Sequence, residues 1–148
     1  MSESPFATRG TIEGVYGTFY TPREREELVR WLGRHGFNLY VYGPKNDRHH
    51  RRTWREPYPA QFMGEFARVV AAGREAGVAV CYALSPSAGL VHSSAEDFAA
   101  ITGKLHAFYD IGVRAFSGLT GIGECLRIGL APWSELQRVA DAAEEIWP

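Results

Sequence analysis

The sequence predicts an α/β fold, the first four β/α units of a partial (β/α)8 TIM barrel, and three observations carry that reading. Apolar, strand-like runs recur at Gly10–Tyr16, Phe37–Tyr42, Val78–Leu84 and Val113–Phe116, each bounded by Gly or Pro. The segments between them change to helical periodicity, so the repeating unit is strand, helix, strand, which implies parallel strands under crossover helices. Polar residues gather directly after the strands, at Glu13 to Gly17, Pro44 to Asp47, Ser85 to Ser87 and Thr120 to Glu124. A barrel collects its chemistry at the C-terminal ends of its strands, where these clusters would stand.

Each helix has its own signals. Over Pro22–His35, Thr21 is placed to cap the N-terminus, Pro22 takes the first helical position and Gly36 closes the helix, with Leu28, Val29, Trp31 and Leu32 expected on the inward face. Ala60–Ala76 turns Phe62, Met63, Phe66, Val69 and Val70 inward and ends at Gly77. Ser94–Ile111 does the same with Phe98, Ile101, Leu105 and Phe108 and ends at Gly112. Pro132–Trp147 is a fourth amphipathic segment, with Trp133, Leu136, Val139, Ala140, Ala143 and Ile146 on one face.

A doubly wound nucleotide binder competes with the barrel and loses. Its first turn should carry Gly-x-Gly-x-x-Gly, whereas this one is Glu-Gly-Val-Tyr-Gly, and there is no Gly-Lys-Ser/Thr loop. A complete barrel takes roughly 250 residues. The 148 residues here hold about half of one. Four strands of an open barrel leave an unpaired edge and an apolar interior, which predicts self-association or a partner over the opening, unless Pro132–Trp147 folds back across it.

Composition excludes several classes. At 45% hydrophobic, 22% charged and a net charge of −1, the chain has material for one core and no polyanion-binding balance. The basic cluster from Arg48 to Arg52, with His49 and His50 inside it, is short, so no nucleic-acid partner is expected. No apolar run is long enough for a bilayer span and no basic leader precedes one, which points to a soluble, cytoplasmic protein with no membrane partner. Cys81 and Cys125 lack paired spacing, and His35, His92 and His106 lie on separate elements. Neither a disulfide, nor a metal site, nor a cofactor is expected. Trp54, Tyr58 and Tyr16 are open to two readings, as stacking platforms for a ligand or as core.

Four motifs then fall in register: Glu-Gly-x-Tyr-Gly after the first strand, Tyr-x-Pro-Lys-x-Asp after the second, Trp-Arg-Glu-x-Tyr next, and Ser-Pro after the third. From Arg9 to about Phe116 the chain resembles the N-terminal half of the catalytic barrel of glycoside hydrolase family 84, the O-GlcNAcase and hyaluronidase-type β-N-acetylglucosaminidases. The resemblance implies removal of N-acetylglucosamine with retention, the substrate's own acetamido oxygen acting as nucleophile, an exception to the two-carboxylate scheme. It implies three substrate-binding residues. Gly14 would let the backbone approach the sugar, Lys45 would hydrogen-bond a sugar hydroxyl, and Asp47 would orient the lysine or its loop. The chemistry agrees, because an ammonium offers three donors and glycine has no Cβ to obstruct a ring.

The departure comes after the fourth strand. The family pattern places two adjacent aspartates there, one polarising the acetamido group and one acting as general acid and base. Here Gly121 and Ile122 stand at those positions, and neither can move a proton. Glu124 is the nearest acid, but one carboxylate cannot fill two roles. No catalytic residue is therefore assigned. The chain divides into a tail (1–8), a partial β-N-acetylglucosaminidase barrel (9–120) and a divergent C-terminal segment with a helix (121–148). The expected function is that of a β-N-acetylglucosaminidase-type glycosidase by resemblance, inactive as an isolated chain. The alternative is a non-catalytic remnant that binds sugar or serves as an interaction module. The implied partner is an N-acetylglucosamine-containing glycan or glycoprotein.

Overall fold

A computed structural model describes residues 6–86, 89–91, 93–118 and 131–132. Its elements run β1 (Gly10–Glu13), α1 (Pro22–Arg34), β2 (Leu39–Tyr42), α2 (Ala60–Glu75), β3 (Ala79–Leu84), α3 (Ala95–Asp110), β4 (Ala115–Gly118) and β5 (Ala131–Pro132). The first four strands are parallel and lie side by side in chain order. That order separates the two folds weighed from sequence, since a doubly wound sheet reverses its order part-way. Three β/α units and the fourth parallel strand of a partial barrel are present among the described residues.

The helices begin and end where their residues dictate. Thr21 and Glu24 form a reciprocal capping box, with Thr21 Oγ1 accepting from the Glu24 amide at 3.2 Å and Glu24 Oε2 accepting from the Thr21 amide at 2.6 Å. Ser94 caps α3 through the Asp97 amide. Gly36, Gly77 and Gly112 follow the helices at φ 76°, 71° and 99°, a region that a side chain disfavours.

One face of the sheet packs on the helices through aromatic rings. Tyr82 stacks on Phe108 of α3 at 3.7 Å, and Tyr42 meets Phe66 of α2 edge-on at 5.0 Å. Val29, Leu32, Val69, Val80 and Phe116 complete this core. At Gly33 of α1 a Cβ would fall 2.3 Å from the Ala76 carbonyl oxygen, so glycine sets how closely α1 approaches the end of α2.

Four expectations need correction. The first strand stops at Glu13, and Val15 and Tyr16 belong to the following loop. Trp31 faces outward at 45% exposure, stacked on His35 and near Phe37, while Arg25 takes its place in the buried stripe with Val29 and Leu32. β5 was not anticipated. It pairs antiparallel with β4, Phe116 opposite Ala131, and it claims Pro132, which was expected to open a helix. His50 is not part of a surface cluster, being 1% exposed. The remainder of Pro132–Trp147, with Gly121, Ile122, Glu124, Cys125, Ser87 and His92, lies outside the described residues.

Candidate sugar-binding site

The loop between Gly43 and Tyr58 leaves the C-terminal end of β2 and is held from four directions. Asp47, buried beneath it, accepts at Oδ2 from the Tyr42 and Tyr58 hydroxyls (2.8 and 2.6 Å), and at Oδ1 from the His49 and His50 amides (2.9 and 3.3 Å). Burial, with the nearby Asp47 charge contributing, pushes the Tyr42 and Tyr58 hydroxyls far above their ordinary range, so both donate permanently. From the α3 side, Lys104 Nζ donates to the His49 carbonyl at 2.7 Å and sits 4.9 Å from the Tyr58 ring centroid. Burial lowers its pKa to about 8. Towards β1, the Lys45 amide donates to the Val15 carbonyl at 2.9 Å and Asn46 Nδ2 to the Gly17 carbonyl at 2.5 Å. Towards β3, the Ser85 amide donates to the His50 carbonyl at 3.2 Å. The loops after β1, β2 and β3 thus form one connected rim.

The exposed Lys45 stands on that rim beside a cavity of about 430 Å³, lined by Tyr16, Lys45, Asn46, Asp47, Arg48, Arg51 and Arg52. Tyr16 is 78% exposed over it. Of the three aromatics left open by sequence, Trp54 and Tyr58 are core, and only Tyr16 presents its ring outward. Gly14 follows β1 directly, and nothing among the described residues requires it to be glycine. Its φ is not positive, and an added Cβ would meet only Ile12 Cγ2, at an ordinary 3.7 Å.

Besides Lys104, two buried polar groups supporting the rim were not assigned from sequence. Glu13, 3% exposed at the end of β1, accepts from Arg25 Nε and Nη2 at 2.9 and 2.8 Å and from the Tyr40 hydroxyl. Burial works against the Arg25 charge, but the Glu13 bonds outweigh it and raise the Arg25 pKa. The second is His50, whose two ring nitrogens are buried without a hydrogen-bond partner among the described residues. The Ala83 backbone is close enough to favour its proton slightly, without a well-formed bond. Burial drives the His50 pKa down to about 4, Asp47 opposing and Lys45 and Arg51 assisting.

That shift fixes a pH dependence. Between about 6.5 and about 4 the unfolded chain takes up a proton at His50 and the folded chain does not, so stability is lost as pH falls through that window. The loss attributable to His50 is on the order of 3 kcal/mol. Urea titrations at pH 7 and pH 4.5 should show it, and His50→Gln should flatten the difference. An unchanged slope in the variant would place the titrating group elsewhere.

Parallel strands in sequential order, helices packed on them and a polar rim at the C-terminal strand ends define part of a (β/α)8 barrel. Residues 9–120 match the family model described as beta-N-acetylglucosaminidase, and the chain belongs to that family. It is 32% identical over 108 residues to Protein O-GlcNAcase of Rattus norvegicus and of Mus musculus, a match covering 73% of this chain and 12% of each relative. Among solved structures it superposes on CpGH84B with TM-score 0.71 and 35% identity, over 76% of this chain and 20% of that one. An O-GlcNAc hydrolase variant of Thermobaculum terrenum gives TM-score 0.77 and 27% identity, over 95% and 33% respectively. The chain spans about an eighth of the length of the curated relatives. Among the described residues no helix is long and apolar enough to cross a membrane.

Proposed function

We propose that this chain is a cytoplasmic sugar-recognition half of a β-N-acetylglucosaminidase barrel, binding N-acetylglucosamine on glycans or glycoproteins without hydrolysing it. The observation that carries the reading is the exposed Lys45, held on a rigid rim above a cavity while the carboxylate beneath it is fully engaged within the chain. Lys45 donates to sugar hydroxyls, Gly14 leaves room for the ring, and Asp47 fixes the loop that aims the lysine. Gly14 supports this reading because among the described residues an alanine there would fit, which leaves space beside the rim that a sugar ring can use. Tyr16 supplies an exposed ring face of the kind on which a pyranose rests.

Recognition is not turnover. Rate comes from groups that act on the transition state, and Gly121 and Ile122 occupy the positions of the family's two aspartates. The purified chain should show no hydrolysis of an aryl N-acetylglucosaminide above the uncatalysed rate. Robust turnover that Glu124→Gln abolishes would overturn this and make Glu124 the catalytic acid. The apolar Ile12, 68% exposed on the edge strand β1, favours self-association or a partner over the open side.

A further inference from the structure

The cavity beside Lys45 carries more positive charge than a neutral amino sugar needs. Lys45, Arg48, Arg51 and Arg52 line it against a single carboxylate, that of Asp47, whose two oxygens already accept four hydrogen bonds. Among the described residues none of these four cations has a carboxylate within ion-pair distance. Elsewhere Arg23, Arg25, Arg30, Arg55 and Arg68 are paired and the remaining described arginines are scattered singly, so what sets this site apart is that its cations are gathered around one cavity. Arg51 is also partly buried. Its Nη1 donates to the Lys45 carbonyl at 3.2 Å, while its Nε is enclosed and has no acceptor among the described residues. A chain of net charge −1 has thus gathered four unpaired cations around one concavity. Their mutual repulsion is relieved by an incoming anion, and guanidinium groups match carboxylate and phosphate oxygens in geometry.

We propose that the Arg48–Arg51–Arg52 side of this cavity binds an acidic group, phosphate or carboxylate, carried by the same saccharide whose amino sugar meets Lys45. The ligand class is therefore an acidic saccharide. The inference rests on the sugar reading above for the second half of that statement only, since the anion site stands on the charge and the cavity alone. Arg48 and Arg52 are exposed and make no side-chain bond among the described residues, so replacing both tests the charge without touching the fold.

The test is calorimetric titration of the full chain at low salt with N-acetylglucosamine, N-acetylglucosamine 6-phosphate, glucuronate, inorganic phosphate and a short single-stranded oligonucleotide. The sugar phosphate should bind about ten-fold or more tightly than the neutral sugar, in keeping with charge-assisted bonds. That advantage should shrink as salt rises and vanish in the double variant Arg48→Gln, Arg52→Gln. Glucuronate against inorganic phosphate tells which acidic group the site prefers. Inorganic phosphate that binds wild type but not the double variant supports the anion site even where neutral sugar fails to bind, a result that would sink only the sugar reading. Equal affinity for charged and neutral sugar, with no phosphate binding, overturns the proposal. So does an oligonucleotide that binds more tightly than the sugar phosphate and loses that binding in the variant.

Discussion

Asp47→Ala should cost the protein a large share of its stability and with it the shape of the rim. The carboxylate takes four hydrogen bonds, from two tyrosine hydroxyls and two consecutive amides, and is 7% exposed. Removing it strands three buried donors, the Tyr42 and Tyr58 hydroxyls and the His50 amide, and a part-buried one at His49, and each buried unsatisfied donor costs about 1–3 kcal/mol. Tyr58 retains a weak alternative in the Tyr82 hydroxyl at 3.4 Å, and Tyr42 has none of comparable quality. The expected loss is about 4 kcal/mol, a large share of the 5–15 kcal/mol typical of a domain. Asp47→Asn should lose roughly half as much, because one amide oxygen still accepts while the NH2 group faces donors. Urea unfolding of the three proteins decides it. Equal stability of wild type and the alanine variant would mean that the loop is held by something other than this carboxylate.

Arg25→Met should be nearly as damaging, for a different reason. Glu13 and Arg25 are both buried, at 3% and 5% exposure, and removing the cation leaves a carboxylate enclosed with only the Tyr40 hydroxyl for company. Breaking one side of such a pair costs about 3–5 kcal/mol, whereas replacing both with apolar residues is often neutral. The double variant Glu13→Leu, Arg25→Met should therefore recover most of what Arg25→Met loses. If the double variant is as unstable as the single one, the damage lies in lost packing, including the Arg25 guanidinium 5.0 Å from the Tyr42 ring centroid, and not in the stranded charge.

These two clusters mark where sequence stopped being informative. The strands and helices were legible because their signals are local: Thr21 with Pro22, Ser94, and the glycines at 36, 77 and 112 each act within a few residues of their own position. Arg25 was not, because its burial depends on Glu13, twelve residues earlier on another element. Treating Arg25 as a solvated charge also rotated the expected inner face of α1 towards Trp31, about 120° from the stripe that Arg25, Val29 and Leu32 form at 100° per residue. His50 misled in the same way. Among arginines it looks exposed, yet the loop folds it between Gly43 and Tyr82.

The rim was half legible. Lys45 and Gly14 could be singled out through the motifs after β1 and β2, and the structure places both loops at one end of the sheet, joined through the Lys45 amide and the Val15 carbonyl. The sequence could not reveal that Asp47 is bound by Tyr58 and by the tyrosine that ends β2, since those contacts form only once the loop has folded back under itself. Nor could it foresee β5, two residues long and paired antiparallel, because so short a strand has no periodicity to detect.

The central claim is that the rim formed by the loops after β1 and β2 receives N-acetylglucosamine, and its most direct measurement is the affinity of that sugar for wild type, Lys45→Ala and Gly14→Ala, followed by amide chemical shifts. Both substituted residues lie clear of the core, so both variants should keep wild-type stability within about 0.5 kcal/mol. The account predicts shifts confined to the amides around Gly14, Tyr16, Lys45 and Asn46 in wild type, with affinity falling about ten-fold in Lys45→Ala from the lost charged donor. Gly14→Ala should weaken binding as well, by blocking the ring. Unchanged affinity in both variants, or shifts centred on another part of the fold, would contradict it.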